Sequence, residues 1–199
     1  FAATCAPHSR GRGNKSRRTQ TLPPMKTVYT GPVFSIESGT LAEPGGVRAR
    51  RDIVRHSGSV AILPVHADRR LTLVSQYRCA FRQQVLELPA GRIDPGETPL
   101  QAAKRELREE LGLGALKWER LQRILPSPGY SDETVTIFRA TNLFKSEGTP
   151  DADERIKPLT MPLASAVKLM RLRRIQDAKT VIALLLETKR RARAPVPSR

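Results

Sequence analysis

Three glutamates, Glu106, Glu109 and Glu110, fall within one short run, PLQAAKRELREELGL, that covers residues 99–113. On a helix, Glu106 and Glu110 are four apart and stand one above the other, and Glu109, three from Glu106, sits on the adjoining surface. Carboxylate oxygens gathered in this way suit a hard divalent cation such as Mg²⁺ or Mn²⁺, and a carboxylate beside such an ion can take a proton from water. Local stability alone does not favour the arrangement. Near a helix C-terminus the macrodipole disfavours each anion by roughly 0.3–1 kcal/mol, and like charges at this spacing add about 0.2–0.5 kcal/mol. A bound cation reverses that sign. The plain alternative is a solvated acidic face balanced by Lys104, Arg105 and Arg108.

The residues around the glutamates say which elements must hold them. Asp94-Pro95-Gly96 has strong turn chemistry. After it, Thr98 can cap a helix with Pro99 at its first position, and Gly112 can end that helix in a left-handed conformation. Leu100, Ala103, Leu107 and Leu111 recur at helical spacing and predict the buried stripe.

Elsewhere the chain mixes strand and helix signals without regular alternation, so the expected class is α+β. Strands are predicted over Thr27–Ile36, Val47–His56, Ser59–Val65, Leu71–Tyr77, Val85–Leu88 and Thr134–Asn142, and helices over Leu163–Leu172 and Asp177–Lys189. The expected division is a basic disordered tail over 1–26, a small antiparallel strand unit over 27–57, a main domain over 58–188 and a second basic tail over 189–199. Phe1–Pro24 is Arg- and Ser-rich and lacks acids, as organellar targeting segments do, but has little amphipathic pattern. Met25 directly precedes the first strand-like stretch, and natural translation or processing is expected to start near it.

The formal charge of +16 invites a nucleic-acid reading. Most of the excess sits toward the two ends, and the modestly basic body between them suits an anionic small molecule instead, so nucleic acid is not the expected partner. The longest wholly apolar stretch, Val181–Leu186, is too short to cross a bilayer. Cys5 and Cys79 have neither metal-ligand spacing nor an even disulfide framework, which points to ordinary thiols in a reducing, cytoplasmic setting.

Written as a pattern, the glutamate run and the loop before it read G-x5-E-x7-R-E-U-x-E-E-x-G-U, with U aliphatic. Gly91, Glu97, Arg105, Glu106, Leu107, Glu109, Glu110, Gly112 and Leu113 supply every specified position. Average residue frequencies make a chance match on the order of one in ten million, which decides against the solvated face. The segment resembles the Nudix box, and strand order and loop positions are similar to the Nudix hydrolase family from about Thr27 to Glu187.

The resemblance implies an α/β/α sandwich with a mixed sheet, the box forming a loop, helix and loop. It also implies cleavage of nucleoside diphosphates linked to another moiety, with Mg²⁺ or Mn²⁺. Carried over, Glu106 and Glu110 resemble the principal metal ligands, Glu109 a further ligand or supporting acid, and the Ala90 carbonyl a backbone ligand. Glu97 and Arg105 would pair to hold the loop on the helix, with Gly91 and Gly112 shaping its ends. Three flanking segments resemble the ADP-ribose pyrophosphatase branch: Gln76-Tyr77-Arg78 with Glu87-Leu88-Pro89-Ala90-Gly91, the loop from Ser127 to Glu133 with Pro128, and Asp177-Ala178-Lys179-Thr180. By that likeness Arg78 would grip a phosphate, Arg50 or Arg51 would touch substrate, and Pro128 would mark the substrate loop. The catalytic base would be Glu154 in the loop from Pro150, with Asp153 in reserve and Glu109 or Glu110 as box alternatives. That loop is less acidic than the branch usually has. The branch commonly exchanges N-terminal strands between subunits, so a homodimer is expected. ADP-ribose or a related ADP-sugar is the leading substrate, diadenosine polyphosphates (with Tyr130) and GDP-mannose are alternatives, and a nucleotide-sensing or nucleic-acid-binding protein is the non-enzymatic one. Trp118 is expected to be a packing residue.

Overall fold

The computed structural model describes residues 25–148 and 155–193. It opens with a three-stranded antiparallel sheet of β1 (Lys26–Thr30), β2 (Ser35–Ala42) and β3 (Arg48–Arg55). The single strand expected over Thr27–Ile36 is therefore two strands. Between them the Gly31 N–H donates to the Phe34 carbonyl at 3.0 Å. Pro32 has no N–H for a ladder, and the β-branched and aromatic residues on both sides hid the break.

The central sheet has the order β7-β4-β9-β8, built from β4 (Ser59–Pro64), β7 (Ala90–Arg92), β8 (Leu113–Ile124) and β9 (Val135–Lys145). β4 and β9 pair in parallel, and the other two pairings are antiparallel, so the sheet is mixed. A third sheet joins β10 (Lys157–Pro162), β5 (Arg70–Arg78) and β6 (Gln83–Glu87). Among the described residues three helices complete the fold: α1 (Pro99–Leu111), α2 (Leu163–Arg171) and α3 (Ala178–Arg193).

Alternation along β4 explains the layers. Val60 and Ile62 pack with Ala102, Ala103 and Leu107 of α1, whereas Ala61 and Leu63 pack with Leu163 and Ala166 of α2 and Ala183 and Leu184 of α3. Because β4 is covered on both faces, its run SVAILP is almost continuously apolar, as a buried parallel strand requires. The architecture is an α/β/α sandwich of the α+β class.

Three strands escaped the sequence reading. β8 carries Lys117, Glu119, Arg120, Gln122 and Arg123 on its half-solvated positions, β10 holds two prolines, and β7 is three residues long. The last helix runs four residues beyond the expected Lys189, so the basic segment through Arg193 is helical. α1 has the expected ends: Thr98 accepts from the Gln101 N–H in a capping box, Pro99 opens the helix, and Gly112 closes it at φ 61°. Its buried stripe is rotated from the expected one. Leu100 is exposed and Leu111 half-buried, while the buried arc is Ala102, Ala103, Glu106, Leu107 and Glu110. The acids thus lie on the inward face. Among the described residues no helix is long and apolar enough to cross a membrane.

Candidate active site

β7 is the short strand that brings backbone to the acids. Ala90 and Gly91 sit opposite Ala61 and Val60 of β4, and the Ile62 N–H anchors the preceding turn on the Pro89 carbonyl at 2.9 Å. From there the Ala90 N–H donates to Glu110 Oε1 at 3.3 Å. The neighbouring Gly91 faces the Glu106 carboxylate, and a Cβ added at Gly91 would run into that carboxylate. Glycine is needed at 91 for space. Glu106 and Glu110 are each only 9% exposed, so two anions are held against the main chain of residues 90 and 91.

Arg105 organises the other side. Its Nε and Nη2 grip Glu97 at 2.9 and 3.0 Å, its Nη1 reaches Glu106 at 2.7 Å and Glu109 at 3.1 Å, and Nη2 also donates to the Arg92 carbonyl at 2.9 Å. The Asp94 N–H adds a bond to Glu97 Oε2 at 3.1 Å. Loop 92–97 is thereby clamped to α1. The bond from Arg105 holds Glu97 below the usual carboxylate range, and Glu97, with Glu106 and Glu109, raises Arg105 far above its ordinary value against the cost of burial.

In this arrangement no three acids, histidines or cysteines among the described residues are gathered as a metal cage. Glu106 and Glu109 share the Arg105 guanidinium, and Glu110 holds the Ala90 amide. The donor chemistry fits a hard cation all the same: Glu106, Glu109, Glu110 and the Ala90 carbonyl offer only oxygen, and the space that Gly91 leaves lies against Glu106.

Beside this cluster lies a cleft of about 290 Å³ whose lining includes Ser59, Arg78, Ala90, Gly91, Glu133 and Lys179. Arg78 donates through Nε to Glu87 at 2.7 Å. Glu87, 2% exposed, also accepts from Lys179 Nζ at 2.7 Å, and Lys179 reaches Asp177 at 2.7 Å. Asp177 in turn accepts from Thr180, whose hydroxyl takes the Leu88 N–H at 2.8 Å. The start of α3 is thereby tied to the segment that leads into β7. Burial is the largest influence on Lys179 and pulls its pKa down, but Asp177 and Glu87 together carry it above the ordinary value. Arg78 likewise loses to burial and gains more from Glu87. Both cations stay charged in the cleft wall.

The structure brings Arg78, Ala90 and Gly91 together with the box acids but leaves Arg50 and Arg51 in the first sheet. There Arg50 donates to Ser38 at 3.2 Å and Arg51 pairs with Glu43 at 2.6 Å, and neither lines the cleft of this chain. Pro128 is exposed on a loop fixed at Asp132, which binds Arg55 at 3.1 Å and the His56 N–H at 2.9 Å. Glu154 and Asp153 lie outside the described residues, as do Cys5 and Phe1–Pro24. Trp118 packs edge-on against Phe138 at 6.1 Å, and Tyr130 is 60% exposed.

Two acidic and basic members of the cleft were missed as site residues. Lys179 stands in a segment used only for resemblance, and its pairing with the acids at 87 and 177 is made only once the chain has folded. Glu133 accepts from Ser59 at 2.8 Å, and its place at the end of the Ser127–Glu133 loop could have marked it. Ser59 had no such signal.

Comparison with known proteins identifies the family. The family model described as the NUDIX domain matches residues 55–185. The chain is 34% identical over 172 residues to an ADP-ribose pyrophosphatase of Bacillus subtilis (strain 168), covering 85% of this chain and 92% of that protein. It is 34% identical over 159 residues to a methanol dehydrogenase activator of Bacillus methanolicus, covering 79% and 86%. A crystal structure of an ADP compounds hydrolase superposes with a TM-score of 0.76 at 29% identity, over 88% of this chain and 96% of that one. With the box residues seated on α1 and β7 as described, and a matching model across two thirds of its length, the chain belongs to the Nudix family.

Proposed function

We propose that this chain is a pyrophosphatase that hydrolyses ADP-ribose or a related ADP-sugar to AMP and a sugar phosphate, with Mg²⁺, or Mn²⁺ in its place. One observation carries the reading: two nearly buried glutamates, Glu106 and Glu110, abut the Ala90–Gly91 backbone at the edge of a cleft walled by Arg78 and Lys179. The similarity to the B. subtilis ADP-ribose pyrophosphatase and to the ADP compounds hydrolase supports the substrate class.

Glu106, Glu109, Glu110 and the Ala90 carbonyl are the groups that would hold the ion. When bound, it neutralises the diphosphate oxygens and lowers the pKa of a water. The protein does the rest. Arg78 and Lys179 present positive charge to the phosphates, Glu87 and Asp177 hold those cations in place, and Arg105 keeps loop and helix in register. A carboxylate takes the water's proton. Glu154 is the proposed base, with Glu109, Glu110 and Asp153 behind it.

The division proposed for the chain is a strand unit over 27–57, a catalytic domain over 58–188, and basic ends. Val28 and Tyr29 of β1, with Val33 and Phe34 of the turn that follows it, leave 39–57% of their surface exposed, which supports a homodimer built through that unit. Such a partner would also give Arg50 and Arg51 a route to substrate. Cys79, an exposed free thiol, supports a cytoplasmic setting.

The test is a panel of ADP-ribose, ADP-glucose, GDP-mannose, diadenosine polyphosphates and NADH with Mg²⁺ or Mn²⁺, with products identified. AMP and a sugar phosphate from the first two, at the highest kcat/KM, is the expected result. No hydrolysis of any of them sinks the proposal.

A further inference from the structure

A second cleft backs onto the first across the end of the central sheet. Neighbouring residues of β8 and the start of β9 alternate faces: Ile124 and Val135 line the first cleft with Ser59, and Arg123 and Thr134 line the second with Ser57. The second has a volume of about 710 Å³.

Its chemistry comes from a fault in β8. On a regular strand Arg120 and Arg123 would point to opposite faces. The register of β8 on β9 shifts between Arg120 and Gln122, so Arg120 pairs with Phe138 and Arg123 with Thr136. Phe138 and Thr136 are two apart and share a face, so both arginines project from that face over the cleft. No ion pair engages either guanidinium among the described residues. Thr136, 5% exposed as a residue, adds a hydroxyl at the floor, where its side chain makes no hydrogen bond among the described residues. The acid in the lining, Glu97, is committed to Arg105. At the start of α1 the capping box takes the Thr98 and Gln101 N–H groups, and Pro99 has none.

We infer that this cleft is a second anion site, which takes the phosphate monoester of a small molecule between Arg120 and Arg123, with the molecule's apolar part on Ile93 and Leu100. Two guanidinium forks and hydroxyl donors are what a phosphate dianion binds. Nucleic acid is the poorer fit: a strand of phosphates needs a continuing row of cations, and the next position of β8 on this face is Trp118, packed on Phe138.

The test is a titration of the full-length ¹⁵N-labelled chain with phenyl phosphate, followed by amide shifts. Saturable shifts are expected at Arg123, Thr134 and Thr136, none with phenol, and affinity about tenfold weaker or worse in Arg120→Gln/Arg123→Gln. Both side chains are exposed, so that variant should keep its fold, and Arg123→Gln alone serves if it does not. Absence of shifts, shifts untouched by the substitutions, or binding of a short RNA oligonucleotide but not of phenyl phosphate would each overturn the inference. Turnover does not enter the readout, so failure here leaves the proposed hydrolysis standing.

Discussion

Gly91 and Glu106 come so close that no methyl group fits between the backbone of one and the carboxylate of the other. In Gly91→Ala the expected outcome is a turnover loss of about 10²-fold from a displaced Glu106 carboxylate, the proposed ligand, with about 1–3 kcal/mol of destabilisation from overpacking. Adding Glu106→Asp, one methylene shorter, should return most of the stability and none of the activity. Urea titration of the single and double variants, with steady-state kinetics on ADP-ribose, separates the two effects.

Glu110 bonds the Ala90 amide while presenting charge beside it. Glu110→Gln keeps the shape and removes the charge. Turnover should fall about 10²–10⁴-fold with little change in the melting temperature. Activity at the wild-type level would refute its assignment to the metal.

Arg105 binds Glu97, Glu106 and Glu109 through one planar group. Lysine keeps the charge but cannot span them, so Arg105→Lys should lose about 1–3 kcal/mol. Denaturant unfolding measures it. Stability equal to wild type would mean that the fork is dispensable.

The same pair sets a pH dependence. Glu97 is held below its ordinary value of 4.5 by Arg105, so the folded chain binds fewer protons there than the unfolded one. The pair's stabilisation is full above that ordinary value and is lost as pH falls through the lower folded value. The gap in unfolding free energy between the native chain and Glu97→Gln should therefore hold from pH 7 to about 5 and narrow below. A gap that widened on acidification would contradict the assignment.

Lys179 joins two acids, one of them almost fully buried. Lys179→Met leaves Glu87 with Arg78 alone and should cost on the order of 3 kcal/mol. KM for ADP-ribose should rise more than kcat falls, as the proposed part of Lys179 in phosphate binding requires. An unchanged KM would make Lys179 purely structural.

How much of this was legible in the residues depends on the range of the forces involved. Thr98, Pro99 and Gly112 act on the chain next to them, so the ends of α1 could be read directly. The rotation of its buried face could not. Burying Glu106 and Glu110 while exposing Leu100 follows from where β7 and Arg105 meet the helix, contacts that no periodicity encodes. β8 and β10 were missed because edge or half-solvated strands carry polar residues and proline at little cost. Lys179 and Glu133 reach the cleft from segments far from the box, by pairings that only the folded chain makes.

The parallel union of β4 with β9 has a consequence for how the protein is made. Ser59 waits for Val135, and the whole of α1 is synthesised between them. A ribosome that has released the chain only as far as Leu111 has delivered every glutamate of the box, yet the strand beside which the helix must dock still lacks its long-range neighbour. Long-range closure of this kind is slow. The nascent chain therefore passes through a stage in which its box acids are present while β4 still lacks β9, and that neighbour arrives with residues that carry none of the box.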